Sequence, residues 1–354
     1  MKKTSLLLFL LLILAGCVQS KIIDDIEIEA GAAFDQLRDN KFIGSVLVQD
    51  YLPDKSIENK VFTSEGHLRK DLIMNVQKQS PGELVTGGLV ITIFGDRLAN
   101  SGIIDFVDSY QRDTEMGARN YLTVSTGSAL EILKGDYGPQ GVSKYLQSLI
   151  QHNIKYRDLP DTNLHIFLRD YYMKGKDPYL PKLNFLSPKE VEISGISLFK
   201  KDREIDVLPK DRMFYFKLLT DKHSLGTVRV DLKKGEASAV KSIKSKHKYT
   251  ISKNNRSHIN IYIKVKGEVK EYTGEKLTKK VINRISNKLE KNIEKECLQL
   301  ITQFQKQDID PLGLGHLHLK SIRKYDFSNW EEDYKNLTFT IKADVIISET
   351  GLIR

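Results

Sequence analysis

The most regular apolar pattern of the chain runs from Val281 to Phe304 and reads VINRISNKLEKNIEKECLQLITQF. Its apolar side chains recur at a mean step of about 3.7 residues, close to the 3.6 of a straight α-helix. Extended to residues 275–306, the pattern predicts a helix about 45 Å long, enough to cross a whole sheet. The apolar stripe consists of Ile282, Ile285, Leu289, Ile293, Cys297, Leu300 and Phe304.

Two segments with alternating apolar residues flank this helix. Ile259, Ile261, Ile263 and Val265 alternate with polar residues before it, and a similar alternation runs from Leu337 to Ile347 after it. Alternation with period two is typical of a strand that buries one face. The order strand, long helix, strand therefore predicts a C-terminal sheet crossed by one long helix.

The N-terminal half alternates between segments typical of strands and of helices. We expect strands at residues 42–52, 89–94 and 121–125, and helices at residues 66–76, 103–110 and 129–133. The run Leu89–Phe94 is apolar and β-branched, as in strands buried on both faces. This order indicates an α/β layer with a partly parallel sheet.

A domain boundary is expected where prolines cluster. Four of the nine prolines lie between residues 160 and 188. Because proline fixes φ and removes a donor, we expect no long regular element there and place the boundary near Ser187 and Pro188. A long surface loop within one domain is the alternative. Further on, a phase slip at Gly195 predicts a β-bulge, and Pro209 predicts the start of a short helix.

Length and composition fit a chain of several folded domains. The 354 residues are 40 % hydrophobic and 29 % charged, with a net charge of +9, which excludes a membrane bundle and wholesale disorder. The predicted fold class is α+β, with mixed sheets packed with helices in two to three domains. We expect an N-terminal α/β domain at residues 27–187 and a C-terminal α+β domain at 188–354, with a further split possible near 225–240.

The N-terminus has the features of a bacterial lipoprotein signal. Lys2 and Lys3 precede the apolar run Leu6–Ala15, which at about 15 Å is half as long as a membrane span. The run ends in Leu14-Ala15-Gly16-Cys17, which predicts cleavage between Gly16 and Cys17 and diacylglycerol on the Cys17 thiol. Residues 1–16 would be the signal peptide, and 17–26 a lipidated tether on the outer face of a membrane. An ordinary secretory peptide with an incidental cysteine is the alternative.

The sequence contains none of the familiar catalytic signatures. It has no P-loop, no H-E-x-x-H, no G-x-S-x-G and no S-x-x-K with its companion motifs. His316 and His318 could begin a metal site, but their surroundings fit a plain strand or turn, and we expect no metal and no cofactor. Cys297 lies on the apolar stripe and is expected to be a buried structural thiol. His67 lies at a predicted helix start, where we expect it to make a structural contact.

One segment, Lys233–Arg256, is strongly basic, with eight basic residues and one acidic residue. Nucleic-acid binding would need interleaved aromatic residues, and only Tyr249 is present. An exported lipoprotein would rarely meet nucleic acid, so contact with anionic lipid or an acidic partner fits better. A solvated face or loop with no binding role is the other interpretation.

Several motifs of the chain occur together in one order, namely Leu14–Cys17, Ser64–Leu68, Leu89–Gly102, Tyr110–Asp113, Gly195–Asp202, Phe304–Gly315, Trp330 and the closing strand to Gly351. The most specific is a helix that ends in Gln305-Lys306 and continues into Asp308 to Gly315. Together these motifs resemble the Ger(x)C family, the C subunits of spore germinant receptors. Many members carry a tryptophan directly after the lipidated cysteine and an acidic residue next, whereas Val18 and Gln19 stand here.

The resemblance implies a non-enzymatic subunit of a three-component receptor. Such a subunit would lie on the outer face of the spore inner membrane, held by lipid at Cys17. Its partners would be two integral membrane subunits, of the A and B types, and it would be needed for the response to small nutrients. The resemblance carries over no catalytic, cofactor or metal residues.

Two other classes of function stay open at this stage. A nutrient-binding lipoprotein would have one deep pocket between domains, lined by aromatic side chains. An enzyme acting on the cell wall from a lipid tether would have paired carboxylates or a Ser/Lys site in a cleft.

Overall fold

The structure is a computed structural model that describes residues 26–348 except 39, 54–55, 114–115, 118–119, 222 and 224. The expected signal peptide, with Gly16 and Cys17, and nearly all of the expected tether lie outside the described residues. The α+β class with mixed sheets is confirmed, because one nine-stranded and one four-stranded sheet both combine parallel and antiparallel strands.

The larger sheet comprises the strands of the first 209 residues. These strands are β1 (Ile26–Arg38), β2 (Lys41–Tyr51), β3 (Ile57–Gly66), β4 (Glu83–Val85), β5 (Ile91–Phe94), β6 (Tyr121–Ser125), β7 (Tyr179–Ser187), β8 (Glu190–Lys200) and β9 (Arg203–Pro209). Their order in the sheet is β3-β2-β1-β5-β6-β7-β8-β9, with β4 paired to β1. The four strands β1, β5, β6 and β7 run parallel and are flanked by antiparallel strands on both sides.

Helices cover both faces of this sheet, as the alternating pattern predicts. On one face, Phe34 and Phe94 of the sheet pack with Phe106 and Phe167 of the helices. On the other face, Ile91 and Ile93 belong to the core that also contains the C-terminal sheet. The helices are α1 (Arg69–Gln77), α2 (Asp96–Ser101), α3 (Ile104–Gln111), α4 (Ala129–Leu133), α5 (Val142–Tyr156) and α6 (Leu164–Tyr172).

The C-terminal half is the sheet crossed by one long helix that the sequence predicts. Strands β10 (Gly226–Asp231), β11 (Ala237–Ile251), β12 (His258–Tyr272) and β13 (Thr338–Ser348) lie side by side in that order. Helix α8 (Lys279–Lys306) connects β12 to β13, which pair in parallel. The predicted stripe of α8 is buried throughout and packs on the alternating residues of β12. Three short helices complete this half, namely α7 (Met213–Thr220), α9 (Leu314–Ser321) and α10 (Trp330–Lys335).

The start of α8 lies slightly later than the periodicity predicts. The helix begins at Lys279 because the Thr278 hydroxyl accepts a hydrogen bond from the Val281 amide and caps the first turn. At the other end, Phe304 packs edge-on against Phe216 of α7, with ring centroids 5.7 Å apart. Phe216 in turn contacts Tyr179 of β7 at 5.2 Å, so this aromatic chain joins the two halves.

The expectation of no long regular element among the prolines is wrong. Helix α6 and the nine-residue strand β7 both lie within residues 160–188. Pro181 lies opposite Ile196 of β8, whereas β6 pairs with β7 only at Lys182 and Leu183, so the proline removes no ladder hydrogen bond to β6. The expected domain boundary falls in the turn between β7 and β8, which pair in one sheet, and the division into domains stays a prediction.

Two smaller expectations have opposite outcomes. The β-bulge near Gly195 is confirmed, because the register of β8 against β7 shifts between Gly195 and Ile193. The prediction of a strand or turn at His316 and His318 is wrong, since both residues lie in α9. On a helix, residues two apart point to different sides, so the two rings do not share a face.

Candidate functional site

Three segments from distant parts of the chain meet beside the end of α8. They are the loop 173–177 after α6, the β8–β9 turn at Lys200 and Lys201, and the connection 307–313 between α8 and α9. We call this place the junction. It borders a cavity of about 370 Å³ whose wall combines Tyr171, Tyr172, Trp330 and Tyr334 with lysine and aspartate side chains.

The connection after α8 is shaped by Asp308 and Asp310. Asp308 adopts a left-handed φ of 55°, which ends the helix, and the Ile309 amide donates back to the Phe304 carbonyl. The buried Asp310 carboxylate accepts hydrogen bonds from the amides of Gly313, Leu314 and Gly315 at 2.9, 3.0 and 2.8 Å. Burial raises the pKa of Asp310 to about 7, although the three backbone donors work in the opposite direction.

Asp177 holds the two halves of the protein together. Its carboxylate accepts from the amides of Asp310 at 2.7 Å and Lys201 at 3.0 Å, and its own amide donates to the Asp310 carbonyl at 2.9 Å. Burial raises the pKa of this carboxyl as well. Beside it, the Lys200 ammonium lies 2.8 Å from an Asp308 carboxylate oxygen. The hydrogen bonds of Asp177 thus join loop 173–177 to the β8–β9 turn and to the α8–α9 connection.

The backbones of Gly175 and Gly315 touch directly at the junction. A Cβ on Gly175 would lie 2.5 Å from the Gly315 carbonyl carbon, and one on Gly315 would lie 2.6 Å from the Gly175 Cα. Gly175 also has a left-handed φ of 75°. Only glycine at both positions permits this approach, which the hydrogen bond from the His316 amide to the Gly175 carbonyl completes at 3.1 Å.

Aromatic side chains close the junction from the side of α10. Trp330 packs against Tyr334 with ring centroids 5.2 Å apart, and the Tyr334 hydroxyl donates to the Ile309 carbonyl at 2.6 Å. His318 lies against Trp330, and its ring nitrogens are 2.9 and 3.1 Å from the carbonyl oxygens of Leu314 and Arg256. Both ring nitrogens thus lie against backbone oxygens of the same chain, and a metal ion at either nitrogen would have to displace that contact.

A second cavity, of about 440 Å³, lies at the carboxyl ends of β1, β5 and β6. Parallel sheets commonly bind ligands at such an edge. One carboxylate of this cavity, that of Asp35, is already engaged, because it accepts hydrogen bonds from the amides of Ala129 and Leu130 at the start of α4. Within residues 26–348 as described, no group of three or more His, Cys, Asp or Glu side chains is placed to hold a metal ion.

The other candidates from the sequence have structural roles. Cys297 is fully buried on α8, and burial raises the pKa of its thiol well above the usual range, as expected for a structural thiol. The His67 ring nitrogen contacts the Asn40 carbonyl, also as expected. Sequence reasoning singled out residues 308–315 but missed their partners Gly175 and Asp177. The only signal was a Gly-Lys-Asp-Pro segment typical of a tight loop.

The basic segment forms a strand and not a loop. Most of Lys233–Arg256 is β11, which pairs along its whole length with β12.

None of the helices that the structure describes is long and apolar enough to cross a membrane.

The protein is of a class in which two mixed sheets are interlocked by the carboxylates of Asp177 and the buried Asp310, and by a contact between Gly175 and Gly315. A family described as "Spore germination protein N-terminal domain" matches residues 19–185, and one described as "Spore germination B3/GerAC like, C-terminal" matches residues 194–351. The chain belongs to the Ger(x)C family of spore germination proteins.

Individual relatives agree with this assignment. Spore germination protein GerQC of Bacillus cereus is 32 % identical over 99 % of each chain. The putative spore germination protein YfkR of Bacillus subtilis (strain 168) is 23 % identical over 100 % of this chain and 98 % of its own. The crystal structure of the GerBC protein has the same fold, with a TM-score of 0.58 at 17 % identity, over 90 % of this chain and 96 % of that one.

Proposed function

We propose that this chain is a membrane-anchored, non-enzymatic subunit of a nutrient germinant receptor. Diacylglycerol on Cys17 would hold it on the outer face of the spore inner membrane, where it would assemble with integral membrane subunits of the A and B types. The observation that carries the proposal is the match of both family domains along nearly the whole chain, beginning at residue 19, two residues after Cys17.

The junction supports a role in assembly. Its carboxylates bind backbone amides and a lysine of the same chain, so they fix the relative position of the two halves. A rigid two-part body can present one defined surface to its partners. Its two parts are already ordered in the free protein, so binding loses little further conformational entropy.

The test of anchoring is Cys17→Ala in the sporulating organism, with Cys297→Ala as the matched control. Both variants remove one thiol, and only the first removes the predicted lipid site. We expect Cys17→Ala to lose the diacylglyceryl mass, to leave the membrane fraction and to slow nutrient germination, while Cys297→Ala stays anchored. Membrane association and germination that both persist in Cys17→Ala would contradict the proposal.

A second candidate function, nutrient binding, is favoured by the cavity beside the junction. Its volume of about 370 Å³ lies within the range of about 300–1,000 Å³ for small-molecule sites, and aromatic and charged side chains line it. Thermal unfolding of the chain with a panel of amino acids and sugars tests this function. A ligand at 100 times its Kd stabilises the folded state by about 2.7 kcal/mol. A shift that Tyr172→Ala weakens would favour a binding protein, and no shift across the panel would exclude tight binding of those nutrients.

A further inference from the structure

The face of the C-terminal sheet turned away from α8 carries a block of lysines. Strands β11, β12 and β13 place nine exposed side chains there in three rows of three. Neighbouring rows and strands are about 7 Å and about 5 Å apart in such a sheet. The rows are Lys244, Lys266 and Ile346; Lys246, Lys264 and Asp344; and Lys248, Tyr262 and Lys342. We call these nine residues the basic face.

Like charges oppose each other directly within the basic face. Lys244 faces Lys266, and Lys246 faces Lys264, across the antiparallel pair β11–β12. Directly opposed like charges destabilise a sheet. Asp344 is the one acidic member and lies 2.8 Å from the Lys264 ammonium, so six lysines and one aspartate leave a net charge of +5. This arrangement costs stability in the isolated chain and is relieved by an external anion.

Protection of a sheet edge does not account for the lysines. Strand β10 pairs with β11 only as far as Ser242, and lysines on a strand edge prevent unwanted pairing. Lys264 and Lys266, however, lie on β12, which pairs with β11 on one side and β13 on the other. A central strand needs no edge protection, so its two lysines point to a binding role.

The shape and composition of the basic face favour a lipid surface as the partner. It is an array on a sheet, and its two uncharged members, Tyr262 and Ile346, are 48 % and 43 % exposed. Tyrosine rings are enriched at the level of lipid headgroups. All its cations are lysines, whereas recognition of nucleic acid or of single carboxylates favours the forked donors of arginine. We propose that the basic face docks onto the anionic headgroup surface of a phospholipid bilayer.

Docking of the basic face extends the proposed function and rests on it, because that function places the protein at a membrane. The contact itself needs neither lipid on Cys17 nor the partner subunits. Clustered lysines bind anionic membranes through the surface potential, and the attraction weakens as salt screens it. Docked in this way, the C-terminal sheet would lie parallel to the bilayer, with α8 on the side away from it.

Vesicle flotation of the full chain tests the proposal. The probes are vesicles of phosphatidylcholine alone and vesicles with one third phosphatidylglycerol, at low and at physiological salt. The readout is the partition onto anionic vesicles divided by the partition onto neutral vesicles. The apolar N-terminus is identical in all variants and contributes to both partitions, so the ratio removes its contribution. We compare the wild type with a variant in which Lys244, Lys246, Lys264 and Lys266 are replaced by Gln.

A matched control removes four exposed lysines from the opposite side of the sheet. It replaces Lys280, Lys288, Lys291 and Lys295 of α8 by Gln, so both variants have the same net charge. Each lysine near an anionic surface contributes about fivefold to partition. Because the basic-face variant lacks four lysines, we expect it to lose about 600-fold in the anionic ratio, while the control changes little.

Three results would overturn the proposal. The control could lose as much as the basic-face variant, the basic-face variant could keep its partition, or the wild type could prefer polyglutamate or DNA to anionic vesicles. Thermal unfolding checks that both variants fold, and removal of opposed lysines should raise the midpoint of the basic-face variant. The assay contains no receptor subunits and no nutrient, so a negative result leaves the proposed receptor function unaffected. Conversely, a germination defect in Cys17→Ala neither supports nor contradicts docking of the basic face.

Discussion

Gly175→Ala tests whether the two halves are held together at the junction. The new Cβ would lie 2.5 Å from the Gly315 carbonyl carbon and 2.6 Å from the His316 amide nitrogen. Because these are backbone atoms, no side-chain rotation can relieve the overlap, and the loop 173–177 must move away from the start of α9. That movement would stretch the hydrogen bonds between Asp177 and Asp310.

The expected cost has two parts. A left-handed φ of 75° disfavours alanine by about 1–2 kcal/mol, and the backbone overlap adds about 1–3 kcal/mol, as for other overpacked sites. Gly175→Ala should therefore lower the free energy of unfolding by about 2–5 kcal/mol. Gly235 separates the two parts, because its φ is 77° and a Cβ there would meet no atom within 4 Å. For Gly235→Ala we expect only the first part.

Urea unfolding followed by tryptophan fluorescence is the assay. Trp330 is the only tryptophan of the chain and packs on Gly315, so its emission reports on the junction itself. Circular dichroism reports on the whole fold in the same samples. If Gly175→Ala costs no more than Gly235→Ala by either signal, the close contact does not hold the halves together and the argument is refuted.

Three further changes test other parts of the structure. Asp310→Asn should flatten the pH dependence of the free energy of unfolding. In the wild type, a carboxyl whose folded pKa is about 7 stabilises the protein at low pH and loses that contribution as pH rises through 7. The loss amounts to about 2–3 kcal/mol between pH 5 and 8. The measurement is the urea midpoint at both pH values beside the wild type, and parallel curves would contradict it. Leu289→Ala, in the buried stripe of α8, should cost about 2–5 kcal/mol, whereas Leu298→Ala, 42 % exposed on the same helix, should cost under about 1 kcal/mol. Thr278→Ala removes the cap of α8 and should cost about 1 kcal/mol, and an unchanged thermal midpoint would contradict the capping role.

Elements with a strong local pattern could be predicted from the sequence. Helix α8 and strands β12 and β13 bury one face each, so their apolar residues repeat with the period of the element. Strand β1 lies at the centre of the larger sheet yet was not predicted as a strand. Its middle reads EAGAAF, buried on both sides, and small residues without alternation give no strand signal.

The junction could be predicted only in part, because its components are far apart along the chain. The motif from Asp308 to Gly315 has a local signature, with aspartates at a helix end and glycines at tight turns. Its partner Asp177 lies more than 130 residues earlier, and nothing in a short loop after a helix indicates which distant backbone it will meet. Contacts of this kind depend on the packing of both halves and not on local propensity.

The basic face combines a local and a non-local signal. Lys244, Lys246 and Lys248 alternate as residues on one face of a strand should, and Lys264 and Lys266 do the same within a strand that the sequence predicts. Whether the two sets share a face depends on a register that slips between Ser242 and Lys244. Without this slip, the regular alternation of β11 would place Lys244, Lys246 and Lys248 on the face opposite to that of Lys241. That face packs against α8, where an unpaired buried charge is costly. The bulge at Ile243 changes the phase and turns them outward, so one unpaired residue gathers the positive charge on the exposed side of the sheet.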